Sequence, residues 1–129
     1  MKKAVLIKTD MTIQAVELTE PTYRSLDAAV GGLFETVRPA GLKPPYLMIV
    51  NESGVIRQLP RNEIGCYLYQ TRIHGHPIVG DAVIMKLGTV NDEGEQDLIG
   101  LTDLEVEKVV HAMDLVKRLV CSEVYRCGR

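Results

Sequence analysis

A chain of 129 residues, 46% hydrophobic and 25% charged, has the size and balance of one globular domain. Its net charge of −2 excludes the global basic excess that drives nucleic-acid binding, and aromatics at 5%, with no Trp, are too few for a base-stacking platform. No apolar run approaches the roughly 20 residues of a membrane span, and the three cysteines, none at Cys-x-x-Cys spacing, suit neither a disulfide framework nor a thiolate zinc site.

The opening Met1-Lys2-Lys3-Ala4-Val5-Leu6-Ile7 starts basic, but its apolar stretch of four residues is too short for the core of a signal peptide. It reads as a first strand over residues 3–8, which predicts a cytoplasmic protein with Cys66, Cys121 and Cys127 reduced. A second strand over 12–18 completes a hairpin around Thr9-Asp10-Met11. A helix then opens, with Thr19 or Thr22 as its cap and Pro21 in the first turn, where a missing N–H costs nothing. Tyr23, Leu26, Ala29 and Val30 form its apolar face, and the Gly31-Gly32 pair closes it in left-handed geometry.

Residues 33–38 read as a strand stopped by Pro39, and 40–45 as a loop, because Pro44 and Pro45 cannot both sit in a central strand. Residues 46–50 and 55–59 read as a second hairpin across Asn51-Glu52-Ser53-Gly54, whose Asn and Gly supply turn chemistry. Asn62 caps a short helix over 62–70. A turn at 72–77, a largely apolar strand over 78–87 with a bulge at Gly80-Asp81, and a polar loop over 88–97 follow.

The last helix is marked by a capping box, Thr102 and Glu105, and by an apolar stripe of Val106, Val109, Val110, Met113, Val116, Leu119 and Val120. Acids at its start and Lys117 and Arg118 near its end both suit the helix dipole. The pattern dissolves after Cys121, giving one domain over 1–121 and a tail over 122–129. The expected fold is α+β: a curved, mainly antiparallel sheet of five or six strands, with two short helices and the long C-terminal helix packed on it.

Five stretches carry a resemblance: Val30-Gly31-Gly32-Leu33-Phe34-Glu35, Val50-Asn51-Glu52-Ser53-Gly54, Leu59-Pro60-Arg61-Asn62, Ile78-Val79-Gly80-Asp81-Ala82-Val83-Ile84 and Leu101-Thr102. Together they resemble the family called domain of unknown function 3846. His74-Gly75-His76 and the chain from Cys121 onward lie outside its pattern. The resemblance implies genomic company with phages, plasmids and the bacterial genomes that carry them. It supplies no activity.

Several residue groups could carry chemistry. His74 and His76, two apart, would present both imidazoles on one side of an extended chain, as two metal ligands need. Only Asp81 or Cys66 could complete such a site, so a polar turn without metal is the expectation. Glu35 and Glu52 are acids among apolar residues, but no nucleophile or base accompanies them. Gly31-Gly32 joins a helix to a strand, the reverse of the order in a phosphate loop. His111 falls on the polar face of the last helix. Arg57, Arg61 and Arg72 could take a phosphate or carboxylate by bidentate contact. Finally, Asp92, Glu93, Glu95, Asp97, Asp103, Glu105 and Glu107 run without a Lys or Arg until Lys108, a negative face suited to a basic partner.

Two functions follow as expectations. One is a non-enzymatic accessory binding protein of a phage or other mobile element, inhibiting a host defence system through a protein partner at Asp92, Glu93, Glu95 and Asp97. The other is a binder of a small anionic ligand, a nucleotide or phosphate compound, at Arg57, Arg61 and Arg72, such as a sequestering protein. Neither calls for a cofactor, a metal, nucleic acid or a membrane, and both leave homodimerisation open.

Overall fold

Strands buried on both faces need apolar residues at odd and even positions alike, and the central strands of this chain have them. The computed structural model describes residues 2–90, 92–94 and 97–126, with His74 and 123–126 described by backbone alone. The chain runs β1 (Lys2–Ile7), β2 (Ile13–Leu18), α1 (Thr22–Val30), β3 (Phe34–Val37), β4 (Tyr46–Asn51), α2 (Glu63–Tyr69), α3 (Thr71–His74), β5 (Ala82–Leu87), β6 (Leu98–Ile99) and α4 (Asp103–Arg126). The strands form one six-stranded sheet in the order β2-β1-β5-β4-β3, with β6 paired to β5. Every pairing is antiparallel. This is the α+β fold expected.

Alternation divides the core in two. Val5, Ile7, Met48, Val50, Ala82 and Ile84 face α2 and α4, which contribute Ile64, Leu68, Val109 and Met113. Ala4, Leu47, Ile49, Val83 and Met85 face the other way, against Leu26 and Val30 of α1. Each fully buried Leu, Ile or Met stabilises by about 1.5–3 kcal/mol, so covering both faces is what makes a sheet of short strands stable. Among the described residues no helix is long and apolar enough to cross a membrane.

Several local expectations are met. The turn between β1 and β2 closes with Lys8 N donating to the Thr12 carbonyl at 2.9 Å. Gly31 ends α1 at φ 79, and Asn62 caps α2 by accepting from Gly65 N. The capping box forms as read: Thr102 N donates to Glu105 Oε1 at 2.9 Å, and Glu105 N donates to Thr102 Oγ1 at 3.2 Å.

The hairpin expected over 46–59 does not form. Both edges of β4 are taken, one by β3 and one by β5, so residues 55–59 have no strand to join. They wind instead through successive turns, with Arg57 N donating to Ser53 O at 2.9 Å and Leu59 N to Gly54 O at 3.0 Å. Asn51 starts the turn as expected, accepting from Ser53 N at 2.8 Å while its Nδ2 donates to the Val30 carbonyl at 3.0 Å.

Smaller corrections concern where elements begin and end. Neither Thr19 nor Thr22 caps α1: Pro21 holds the cap position, and the Glu20 carboxylate accepts from Thr22 N at 3.2 Å. The turn at 72–77 includes the helical turn α3, closed by Gly75 at φ 82. The strand begins at Ala82 rather than Ile78, after Gly80 at φ 78. Helix α4 continues past Cys121 to Arg126, and Leu119 at the margin of its stripe is 51% exposed.

Candidate functional site

Arg61 is placed by the buried side chain of its neighbour Asn62. Its Nδ2 donates to the carbonyls of Ile7 at 2.9 Å and Gly80 at 3.0 Å, and its Oδ1 accepts from Gly65 N at 3.0 Å. These bonds tie the start of α2 to β1 and to the chain entering β5. Arg61, one residue earlier, bridges to Val79 in an antiparallel pair, so its backbone is fixed on both sides. Its Nε donates to Glu63 at 3.3 Å.

Arg61 and Arg72 line one cleft of about 350 Å³, together with Glu63, Tyr67, Gln70 and Ile73. Buried Cys66 and Thr71 lie at its base. Arg57 is not among its lining residues. That guanidinium reaches back to α1, where Nη1 donates to the Gly31 carbonyl at 2.7 Å. A positive group at a helix C-terminus is favourable, so Arg57 has a structural duty there. The approach is close enough that a Cβ on Gly32 would lie 2.9 Å from Arg57 Nη1. The structure thus brings two of the three sequence-predicted arginines together.

Sequence reasoning missed Glu63, Tyr67 and Gln70. Glu63 and Tyr67 fall at i and i+4, a row about 100° around α2 from the buried Ile64 and Leu68, and Gln70 is the left-handed cap that ends the helix; the i, i+4 spacing is the signal by which the wall could have been found.

A second cleft, of about 330 Å³, gathers Glu35, Glu52, His76 and Tyr69 from four separate segments. Both acids and the histidine are exposed. The extended geometry assumed for His74 and His76 is absent, because His74 ends α3 and Gly75 turns the chain between them. The His74 side chain is outside the described residues. Among the described residues no group of three or more His, Cys, Asp or Glu is arranged to hold a metal ion.

The acidic stretch is divided by its partners. Asp103 pairs with Lys3. Glu105 meets Lys86 Nζ at 2.8 Å and accepts from Tyr46 Oη at 3.3 Å. The Lys86 contact, then the Thr102 N–H, hold its carboxyl well below the usual range, at about 2. Burial, then the Glu105 charge, raises the Tyr46 hydroxyl. Asp92, Glu93 and Asp97 are exposed in the loop before and at the approach to β6. Glu95 lies outside the described residues.

A comparison with curated proteins returned no match. Among solved structures, one described as the crystal structure of small RNA methyltransferase HEN1 is similar at a TM-score of 0.54 and 16% identity. The similarity covers 81% of this chain and 15% of that one, and at this identity it shows a shared fold alone. The family model for a domain of unknown function (DUF3846) matches residues 1–114, and the chain belongs to that family.

Proposed function

We propose that this protein acts by binding rather than by catalysis, as an accessory factor of a phage or other mobile element that inhibits a host defence system by engaging one of its proteins. The observation that carries the reading is a group of acidic side chains exposed on one loop. Asp103 and Glu105 are neutralised by Lys3 and Lys86, whereas Asp92, Glu93 and Asp97 are exposed and belong to neither core cluster. Gly88 N donates to the Asp97 carbonyl at 2.8 Å, which closes the base of the loop and presents its tip. Val90, 58% exposed on the same loop, adds an apolar contact of the kind that interfaces place beside charge. A loop of this character suits a basic protein surface, with charge setting the encounter rate and specificity. The affiliation with mobile elements rests on the family resemblance.

The test is capture from a lysate of a defence-carrying host, using the wild type and a variant with Asp92→Lys, Glu93→Lys and Asp97→Lys. The variant should fold normally, because loop residues contribute little to the core, and should lose both the partner and the inhibition. Equal capture by the reversed protein would remove the acidic loop from the account.

A further inference from the structure

We propose that the open edge of β2 pairs antiparallel with β2 of a second copy of this chain, joining two sheets into one across a twofold axis at Ala15. The hydrogen-bond phase of the first hairpin shows which backbone groups are available. Lys8 N donates to Thr12 O, one pair beyond Ile7↔Ile13 in the register. Bonded and non-bonded pairs alternate along an antiparallel ladder, so Gln14, Val16 and Leu18 bond to β1, while Ile13, Ala15 and Glu17 turn their N–H and C=O groups outward. The Lys3 carbonyl agrees with this phase: Lys3 stands opposite Glu17, and its carbonyl accepts from Leu101 N rather than from β2. Among the described residues, the outward groups of Ile13, Ala15 and Glu17 have no hydrogen bond within the chain.

The opposite edge of the sheet is defended. β3 has four residues, Pro39 stands two beyond its end, and its outward Phe34 N–H is taken by Asp27 Oδ1 at 3.1 Å. Short strands, prolines and lysines are how edges are kept from pairing. β2 has six residues, no proline or lysine, and an unbroken register with β1. Its edge also fits itself. Paired residues must share a face of the joined sheet, so the axis passes through a residue rather than between two. With the axis at Ala15, Ile13 meets Glu17 of the second copy, Ala15 meets Ala15, and all three outward residues bond. With the axis at Val16 or Gln14 one of them is left over, because Thr19 and Met11 lie outside the strand, Met11 at φ 71. The axis at Ala15 also holds the two Glu17 carboxylates four residues apart, about 13 Å, beyond the screening length of about 8 Å at physiological salt. The axis at Val16 would bring them to about 7 Å. Ala15 is small and exposed, and between it and α4 lies a cleft of about 380 Å³ that Glu17, Val106 and Glu107 also line. Ile13 of the second copy enters on this face, bringing an apolar side chain toward Val106. Glu107 is the charge that works against the pairing, since its two copies approach each other near the axis.

The experiment is sedimentation equilibrium of the full chain up to about 1 mM, which populates even a pairing with a Kd of about 0.1 mM. The wild type should show a monomer–dimer equilibrium, and Glu107→Gln should tighten it. Ala15→Pro deletes the outward N–H at the axis, a change an edge strand tolerates when that N–H faces solvent. Ala15→Lys sets like charges directly opposite each other. Each should weaken dimerisation by at least about tenfold, with the circular dichroism of the folded chain retained. The register is read by mild oxidation in a Cys121→Ser, Cys127→Ser background. Ala15→Cys should form a disulfide-linked dimer, because Cα atoms of a bonded pair lie about 5.5 Å apart, within disulfide reach. Thr19→Cys should not, because its copies lie eight residues apart, about 27 Å. The lysine reversals in the acidic loop should leave dimerisation unchanged, which keeps this edge separate from the partner surface. A wild type that stays monomeric, its edge left for an extended segment of another protein, would overturn the proposal. So would full dimerisation of Ala15→Lys, or Thr19→Cys cross-linking as readily as Ala15→Cys.

Discussion

Replacing Asn62 with alanine removes three hydrogen bonds from the interior at once, two donated to the carbonyls of Ile7 and Gly80 and one accepted from Gly65 N. The residue is 0% exposed, so water cannot take over any of the three. Loss of the helix cap costs about 1 kcal/mol. Each buried carbonyl left short of a partner adds about 1 kcal/mol or more. The expected loss is therefore roughly 3 kcal/mol, against a stability of about 5–15 kcal/mol for an ordinary domain. At this chain length that lowers Tm by roughly 10 °C. Urea unfolding followed by circular dichroism measures it: the midpoint should fall while the slope stays constant, since the surface exposed on unfolding is the same. Asn62→Ser keeps an acceptor for Gly65 N and should recover about 1 kcal/mol. Asn62→Asp should be worse than alanine at neutral pH, because a buried carboxylate would face two carbonyl oxygens. A loss below about 1 kcal/mol in Asn62→Ala would show that these carbonyls are satisfied without the amide, and the argument would fail.

Other expected outcomes follow from the same geometry. Met113, 2% exposed on the buried face of α4, should tolerate no charge: Met113→Asp should unfold the domain by thermal melt, whereas Leu119→Asp, at a residue 51% exposed, should melt near the wild type. Glu105, whose carboxyl lies at about 2 against an ordinary 4.5, stabilises the fold fully above pH 4.5 and loses that contribution as pH falls toward 2. The stability gap between wild type and Glu105→Gln should thus be present at neutral pH and close through that window in acid titrations. Cys121 is exposed and Cys66 buried, both as free thiols, so mass spectrometry should find Cys121 alkylated in the native protein and Cys66 only after unfolding.

The sequence is most legible where a signal is local or strictly periodic. The capping box at Thr102, the Asn62 cap and the Gly31 closure each need only a few neighbouring residues, and each forms as read. Strands β1, β4 and β5 declare burial on both faces through apolar residues at both parities. What the sequence hides is long-range competition. The turn at Asn51 was readable, but residues 55–59 could return as a strand only if an edge of β4 stood open, and β3 and β5 occupy both. Asn62 looked like a simple cap, while its two longest-range bonds go to residues 55 and 18 positions away. The arginines behave alike: three close in sequence are split because Arg57 reaches back 26 residues to Gly31. The acidic run is likewise divided by Lys3, 100 residues from Asp103, and by Lys86. Spacing shows that charges are neighbours along the chain. It does not show which of them the fold uses up.

The central claim, that the acidic loop meets a basic protein partner, is tested most directly by the association rate of the captured partner as a function of ionic strength. Electrostatic steering raises association from an unassisted 10⁵–10⁶ M⁻¹s⁻¹ toward about 10⁸ M⁻¹s⁻¹ at low salt, and added salt screens it within about 10 Å at 0.1 M. The wild type should therefore associate fast and slow steeply as salt is added, and the protein carrying Asp92→Lys, Glu93→Lys and Asp97→Lys should associate slowly at every salt concentration. A wild-type rate indifferent to salt, or a reversed variant that associates as fast as the wild type, would contradict the account.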